Sequence, residues 1–554
     1  MFKKFILSTV LLSTSHAAYA QPFDAGSQLR QIPQAPAPDK TEPVFEVAPR
    51  AAPPESAEAG AKVKVDALKL IGATLFSSDV LVAASGFTPG SELTLAQLRA
   101  LAARISAYYN ANGYFLAQAY LPPQAIEGGT VTIAVIEGRY GKVSIDNKTN
   151  LSDRIPQHIM SGVDPGDIVV NKPLERRLLL LSDIPGVAVR STLAPGAEVG
   201  TADLLVGIER APPITGSLEA DNGGNRYTGT YRLGGTVNFN HPLGIGDMLS
   251  VRLLASDDGL AYGRGSYQAL VGNATLGVAY AHLRYDLGRE FKLLNADGTA
   301  DIFSLFASYP LVRTRRSNLY ALAGADLSRF EDHVHSTASR SLKASRVLHL
   351  GFAGDFRDGF GGGGSSVYSA ALSVGDLDIK TPLDRAADAL TARSDGHFAK
   401  LNASAARLQS IGGPLSLYAA VRGQLAFDNL DSSEKMELGG AYGVRAYPEG
   451  EAYGDQGYLA TLEARLNLSH MAPALPGGLE LIGFIDVGAV EYAHSPWFAG
   501  SNHAHRSGYG AGLTWNGPSE ILVKASYARK LGKADATSAP DKEGRAWFQI
   551  VKLF

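Results

Sequence analysis

The feature that most constrains this chain is a recurring alternation of apolar and polar residues in short segments across residues 211–554. From Ala460 to Leu468 every second residue is apolar, whereas Glu463 and Arg465 occupy alternate positions. Because successive side chains of a β-strand point to opposite faces, this period of two predicts strands with one apolar and one polar face. We predict about sixteen of them, near residues 214, 227, 247, 262, 275, 301, 318, 343, 366, 397, 414, 457, 479, 508, 519 and 545.

The periodicity is compatible with two architectures. A soluble sandwich buries the apolar faces, whereas an outer-membrane barrel turns them to lipid and lines an aqueous lumen with the polar faces. The chain has no cysteine and, after residue 20, no run of about 18 apolar residues that could form a membrane-spanning helix. Together with an export signal, these features favour a 16-stranded antiparallel transmembrane β-barrel over residues 212–554, with both of its ends in the periplasm.

The first 20 residues have the pattern of a secretory signal peptide. Lys3 and Lys4 precede an apolar stretch from Phe5 to Leu12, and Ala18-Tyr19-Ala20 has the small-x-small pattern of a cleavage site. We therefore expect the mature chain to begin near Gln21.

Residues 21–32 predict a short helix with Asp24 as N-cap, and with Leu29, Arg30 and Ile32 near its end. A helix of this length is unstable on its own. Residues 33–62 are rich in Pro, Ala and Glu, which predicts an extended linker without a core. The segment is interpreted either as a tethered mobile helix or as a disordered tail.

Two modules of similar element order follow, at residues 63–138 and 139–211. Each predicts the order β-α-α-β-β, which is an internal structural repeat without close sequence identity. In the first module, the second helix begins after Thr94, with Gln97 as its capping-box partner, and stops at Gly113. Its expected apolar stripe consists of Leu95, Leu98, Leu101, Ile105 and Tyr108.

The end of the first module carries a specific motif: Gly113-Tyr114, Pro122-Pro123-Gln124, Gly129 and Glu137-Gly138. This pattern resembles the polypeptide-transport-associated (POTRA) domain of two-partner secretion transporters. The resemblance implies that Gly113, Tyr114, Pro122, Pro123, Gln124, Glu137 and Gly138 belong to a region that binds the exported client. Modules of this kind leave a strand edge that accepts another extended chain; the alternative is a rigid spacer.

The glycine-rich loop at about residues 430–457 resembles the sixth extracellular loop of the same family, which folds back into the barrel. In that family an Arg of a Val-Arg-Gly-Tyr motif meets the Asp of a Phe-x-Asp-x-Gly strand. The matching residues are Val444, Arg445 and Tyr447 in the loop, with Ala446 in place of Gly, and Phe484, Asp486 and Gly488 in the strand. Strand alternation independently places Phe484, Asp486 and Gly488 on the lumen face. The alternative is a loop over the barrel mouth with Arg445 in water.

Charge and motifs exclude several classes of function. A formal net charge of −3, from 51 basic and 54 acidic residues, gives no basis for a nucleic-acid partner. The sequence has no Gly-x-Ser-x-Gly motif and no phosphate-binding loop. His494, His503 and His505 lack the spacing of a metal site, and the glycines at 361–364 lack the context of a nucleotide site. We expect no enzymatic activity, no cofactor and no metal.

Taken together, the resemblance implies an outer-membrane two-partner secretion transporter of the haemolysin-activator type, in a Gram-negative cell, with two POTRA domains in the periplasm. Its partner would be a large exoprotein with an N-terminal secretion domain, and the helix at residues 21–32 would plug the resting pore. We further expect contact with outer-membrane lipid, a monomeric state, and help from periplasmic chaperones and barrel-assembly machinery during biogenesis. Alternatives are an outer-membrane insertase of the same superfamily, or a passive porin.

Overall fold

The computed structural model describes residues 23–36, 43–47, 61–469 and 476–554. The expected signal peptide and most of the expected linker lie outside these residues. Among the described residues, no helix has both the length and the apolar character needed to cross a membrane.

The N-terminal segment contains one short helix and one short strand: α1 (Ala25–Arg30) and β1 (Val44–Val47). Asp24 caps α1 in a capping box with Ser27, and the helix ends at Arg30, two residues earlier than expected. The linker differs from the expectation more clearly, because β1 pairs in parallel with a strand of the second module.

The first module packs two helices against a small sheet. Its elements are β2 (Val63–Val65), β3 (Ala67–Ile71), α2 (Ser78–Ser85), β4 (Ser91–Leu93), α3 (Leu95–Ala111), β5 (Gln118–Tyr120) and β6 (Thr130–Ile136). The sheet order is β3-β6-β5, and β2 pairs with β4. Thr94 and Gln97 form the predicted capping box of α3. Leu98, Leu101 and Ile105 are buried and Tyr108 is half-buried against the same core, as expected. The expected stripe was wrong at Leu95, which is 41% exposed, and it omitted the buried Tyr109.

The second module has the predicted order β-α-α-β-β, which the first module also contains, with the short strands β2 and β4 added. It consists of β7 (Arg139–Asn147), α4 (Arg154–Ile159), α5 (Asn171–Ser182), β8 (Val187–Pro195) and β9 (Thr201–Arg210). Its sheet has the order β1-β8-β9-β7, so the linker strand forms one edge. Leu174, Leu178 and Leu181 of α5 are buried against this sheet in a continuous core.

Sixteen antiparallel strands close into one barrel, as predicted. They are β10 (Ile214–Asp221), β11 (Arg232–Asn240), β12 (Met248–Ser256), β13 (Leu260–Val271), β14 (Ala274–Asp286), β15 (Ala296–Arg313), β16 (Ser317–Val334), β17 (Ser339–Asp358), β18 (Gly364–Ile379), β19 (Gly396–Gly412), β20 (Leu415–Ala426), β21 (Gln456–Asn467), β22 (Gly478–Glu491), β23 (His503–Gly517), β24 (Ile521–Lys530) and β25 (Gly544–Leu553). Pairing of β10 with β25 closes the barrel. A further helix, α6 (Pro382–Leu390), lies between β18 and β19.

The alternation along each strand separates an outer apolar surface from the lumen. In β12, Leu253 is 63% exposed on the outer surface, whereas its neighbours Arg252 and Leu254 are buried inside. An outer band of this kind is what lipid requires. The polar and charged side chains therefore line the interior, where the candidate site lies.

The second module is docked against the periplasmic turn between β15 and β16. Arg313 donates from Nε and Nη2 to the two carboxylate oxygens of Asp183, at 2.7 and 2.9 Å. Arg176 Nη2 donates to the carbonyl of Pro310 at 2.8 Å, and Arg315 lies 3.8 Å from Glu175. These contacts hold the second module against the end of the barrel at which β15 and β16 are joined.

Candidate functional site

The long connection between β20 and β21, residues 427–455 and here called loop 6, is folded into the barrel. Its residue Arg445 reaches Asp486 on the lumen face of β22. Arg445 Nε donates to Asp486 Oδ2 and Nη2 donates to Oδ1, each at 2.8 Å, and the backbone N–H of Arg445 donates to Oδ2 at 3.2 Å. The Asp486 side chain is fully buried. This is a bidentate ion pair removed from bulk water, the geometry in which such pairs are strongest.

A second acceptor and an aromatic ring complete the seat of the guanidinium. Arg445 Nη1 donates to Glu463 Oε1 at 2.9 Å, and Thr461 donates its hydroxyl proton to Asp486 at 2.9 Å. The guanidinium carbon lies 3.4 Å from the centroid of the Phe484 ring, a cation–π contact. Sequence reasoning missed Glu463 as a partner, although the alternation of β21 had placed it on the polar face.

The remaining motif residues of loop 6 are also buried. Val444 and Ala446 are fully buried, and the Tyr447 hydroxyl donates to the carbonyl of Ala534 at 3.0 Å. A Cβ added at Gly488 would lie 2.8 Å from Leu438 Cδ2 of loop 6, so glycine there admits the loop against the wall. The motif is therefore packed against the lumen wall as well as paired through its charge.

Two further buried carboxylates of loop 6 make charged contacts, and sequence reasoning had named neither contact. Glu451, which is fully buried, accepts from Arg506 Nε at 2.9 Å and from the backbone N–H groups of Thr537 and Ser538 at 2.8 and 2.9 Å. Asp455, also fully buried, pairs with Lys435. The only sequence signal for them was the density of charge in a glycine-rich loop.

Helix α1 lies inside the lumen, with its N-terminal end between the wall and loop 6. Asp24 is 3.3 Å from Lys343 Nζ of β17 and accepts from the Ser432 hydroxyl of loop 6. The N–H of Ala25 donates to Asp332 Oδ1 of β16 at 2.8 Å. The same contacts therefore anchor the helix to both the barrel and the loop.

The rest of α1 is held in the same way. The Thr228 hydroxyl donates to Gln28 Oε1 at 2.9 Å, Gln31 Nε2 donates to the Tyr453 hydroxyl of loop 6 at 2.6 Å, and Arg232 donates to the Gln31 carbonyl at 3.1 Å. Leu29 and Ile32 pack on a lumen cluster of buried apolar residues. Arg30 is exposed and faces a lumen cavity that Lys400 and Glu434 also line.

In the first module, Glu137 is bound from within the module. Its carboxylate accepts from the backbone N–H groups of Thr74 and Leu75 at 2.6 and 2.8 Å, from the Thr74 hydroxyl, and from the Tyr109 hydroxyl at 3.0 Å. Burial opposes ionisation, but these hydrogen bonds together hold the pKa of Glu137 below its ordinary value. Glu137 therefore holds the module's shape.

The other motif residues of this module also make contacts within the chain. Gln124 exchanges two hydrogen bonds with the backbone of Thr132, both at 2.7 Å, and one with the Pro122 carbonyl at 3.3 Å. Tyr114 packs edge-on against Phe76 with ring centroids 5.7 Å apart. Gly113 lies in the turn after α3 and Pro123 is exposed at a bend, whereas Gly138 is buried and has a positive φ. Client binding by these residues remains a prediction.

The residues considered as metal ligands do not gather in one place. Within the described ranges, no group of three or more His, Asp or Glu side chains is positioned to hold a metal ion. His503 and His505 belong to β23, and His494 lies in the loop before it.

Solved structures of similar fold include CdiB from Escherichia coli, with a TM-score of 0.70 and 20% identity over 91% of this chain and 93% of that one. CdiB from Acinetobacter baumannii gives a TM-score of 0.61 at 19% identity, covering 93% and 95% of the two chains. BamA from Haemophilus ducreyi lacking POTRA domains 1–3 gives 0.52 at 16% identity, covering 89% and 100%. At these identities the likeness concerns the fold.

The sequence also matches characterised relatives and two family models. The heme/hemopexin transporter protein HuxB of Haemophilus influenzae (strain 86-028NP) is 29% identical over 84% of this chain and 82% of its own, and the outer membrane transporter CdiB of Dickeya dadantii is 25% identical over 66% and 65%. Residues 63–138 match the ShlB-type POTRA domain. Residues 200–349 and 359–515, more than half of the chain, match the haemolysin secretion/activation protein family ShlB/FhaC/HecB. The chain therefore belongs to this family of outer-membrane transporters, which secrete a partner exoprotein.

Proposed function

We propose that this protein exports one large exoprotein through the barrel lumen, and that α1 and loop 6 together close the lumen until the client arrives. The observation that carries the proposal is that α1 is bound on one side by the barrel, through Thr228, Asp332 and Lys343, and on the other by Ser432 and Tyr453 of loop 6. Such a helix, about 10–12 Å wide with its side chains, occupies the space that an extended client needs.

In this proposal the Arg445–Asp486 pair holds loop 6 in its resting position. Removing one partner of a buried ion pair costs about 3–5 kcal/mol, because the other charge is left uncompensated in a dry site. The contact is therefore strong enough to define a resting state. Arg445 also pairs with Glu463, so one guanidinium bridges two carboxylates of the lumen wall.

The periplasmic modules supply the recognition step. We propose that both are POTRA domains, since the β-α-α-β-β order of the second is also contained in the first, and that they bind the N-terminal secretion domain of the unfolded client. No nucleotide reaches this compartment, so folding of the client outside the cell supplies direction. We further propose a monomer that reaches the membrane with the help of periplasmic chaperones and the barrel-assembly machinery.

Deletion of residues 21–32 tests the closure. The deletion should raise single-channel conductance in planar bilayers, because it removes α1 from the lumen. A matched control is Arg226→Ala, which removes only an ion pair with Glu290 whose side chains are 36% and 50% exposed. Conductance equal to that of the intact chain would rule the plug out.

An outer-membrane insertase is the second candidate, because BamA shares the fold. The two functions differ in the number of clients: a transporter serves one exoprotein, whereas an insertase assembles many barrels. The outer-membrane and secreted proteomes of a strain depleted of this protein separate them. We expect loss of a single secreted protein, with the other barrel proteins at their normal levels.

A further inference from the structure

The edge of the second module's sheet is occupied by the chain's own linker. Residues Val44–Val47 run parallel to β8, with Val44 opposite Arg190 and Val47 opposite Leu193. On its other side β8 pairs with β9. Without the linker strand, β8 would be an edge strand with free backbone donors and acceptors, the kind of edge that accepts an added strand.

One side chain fixes the linker strand in place. Phe45 packs on the buried core of the second module and meets the Phe115 ring of the first module edge-on, with centroids 6.1 Å apart. Its neighbours Val44 and Glu46 face solvent, and Val44 is 43% exposed. The linker strand is therefore held by one buried aromatic side chain, Phe45, which lies at the junction of the two modules.

The linker strand matches this edge incompletely. It has four residues, whereas β8 has nine, and prolines at 43 and 49 limit its extension because proline cannot donate to a strand ladder. Ser191, directly opposite Phe45, is buried, and its hydroxyl has no hydrogen-bond partner among the described residues. A longer strand with a better match would pair with more of β8.

We propose that Val44–Val47 is a built-in occupant of the client-binding edge, which an extended segment of the exoprotein displaces during recognition. The segment would run parallel to β8, place an aromatic side chain where Phe45 lies, and pair with more than four residues. The inference rests on the proposed function for the identity of the client, and it adds that the resting protein shields its own recognition edge. Export then begins with exchange of one strand for another.

A disulfide staple tests the exchange. The chain has no cysteine, so Glu46→Cys with Thr192→Cys gives a single pair on adjacent strands, whose spacing of about 4.8 Å is within the Cα range of a disulfide. The control pair Ala188→Cys with Glu209→Cys staples β8 to β9 and leaves the linker free. We expect oxidation to reduce export of the partner exoprotein at least tenfold in the first variant only, with recovery on reduction. Export equal to that of the control would overturn the proposal.

A binding measurement keeps this result separate from the proposed function. The probe is a fluorescent peptide with the sequence of residues 42–48, EPVFEVA, added to the full chain in detergent. It should bind at least tenfold more tightly when Val44–Val47 is replaced by alternating glycine and serine than to the wild type, and Phe45→Ala should give an intermediate gain. Val44→Ala, at a solvent-facing position, is the matched control. Equal binding to all variants, or binding to none, would overturn the proposal even if export proceeds.

Discussion

Gly508 of β23 lies directly against Ala446 of loop 6: a Cβ added to Gly508 would be 2.5 Å from the Ala446 Cβ. Ala446 occupies the position where the family motif has glycine, and its backbone φ is not positive. Its methyl group is fully buried. The alanine is therefore accommodated because the facing strand residue has no side chain.

This relationship predicts a compensating pair of substitutions. Gly508→Ala should displace loop 6, since overpacking of a buried contact costs about 1–3 kcal/mol. Adding Ala446→Gly should recover most of the loss by removing the opposing methyl group. Protease sensitivity of loop 6 in the purified protein measures both effects. A double variant as sensitive as Gly508→Ala alone would contradict this explanation.

The ion pair predicts a second result. Arg445→Ala should weaken the seating of loop 6 by about 3–5 kcal/mol, because it leaves the buried Asp486 carboxylate without its cation. Asp486→Ala should weaken it less, because Arg445 keeps its ion pair with Glu463. Arg445→Lys should recover only part, since an ammonium cannot bridge both carboxylate oxygens and Glu463 as the guanidinium does.

Export of the partner exoprotein and loop 6 protease sensitivity are the measurements for this pair. The control is Arg226→Ala, whose ion pair with Glu290 is solvent-exposed and therefore contributes little. If both Arg445→Ala and Asp486→Ala export the exoprotein at the wild-type level, the ion pair has no role in export.

Glu137 predicts a pH dependence in the first module. Its pKa is lower in the folded state, so its stabilisation is fully present above the ordinary glutamate pKa and is lost as the pH falls through the folded-state value. Glu137→Gln should destabilise residues 63–138 at neutral pH by about 1.5–3 kcal/mol, through loss of charged hydrogen bonds.

Hydrogen exchange in the full chain, corrected for intrinsic rates, measures this effect. Glu137→Gln should also flatten the acid dependence of protection, whereas Glu92→Gln, at an exposed position of the same module, should leave it unchanged. If the pH dependence of protection is unchanged in Glu137→Gln, a group other than Glu137 is responsible for it.

The docking of the second module predicts a fourth result. Arg313 makes a bidentate pair with Asp183 in which the side chains are only 11% and 20% exposed, whereas Arg315 lies 3.8 Å from Glu175 and is 47% exposed. Arg313→Ala should therefore increase hydrogen exchange in α5 and in the turn at residues 314–316, and Arg315→Ala should change it little. Similar changes in both variants would show that burial does not set the strength of these contacts.

Much of the barrel can be predicted from the sequence, because the alternation of apolar and polar residues is a local pattern within each strand. A period of two assigns faces without knowledge of partners, so Phe484 and Asp486 were correctly placed inside from the strand alone. The same holds for the N-cap at Asp24 and the capping box at Thr94, which depend on neighbours three residues away.

Apart from the Arg445–Asp486 pair, which the family resemblance implied, contacts that depend on long-range packing could not be predicted. The pairing of Phe45 with β8 joins residues about 150 positions apart and is hidden by flanking prolines. The Glu451–Arg506 pair requires the path of loop 6 through the lumen, which no periodicity encodes. The buried face of α3 also includes Tyr109, because the Glu137 carboxylate accepts its hydroxyl proton.

The central claim, that α1 closes the lumen and must leave before export, is tested most directly by stapling the helix in place. A Cβ added at Gly26 would lie 2.8 Å from Ser433 Cβ of loop 6, so the two positions adjoin. Gly26→Cys with Ser433→Cys therefore gives a single cysteine pair in a chain without cysteine, which a shift of about 1 Å brings to the Cβ separation of a disulfide. The measurement is export of the partner exoprotein by the oxidised and the reduced protein. The account predicts that oxidation stops export and that reduction restores it; normal export with the disulfide intact would contradict it.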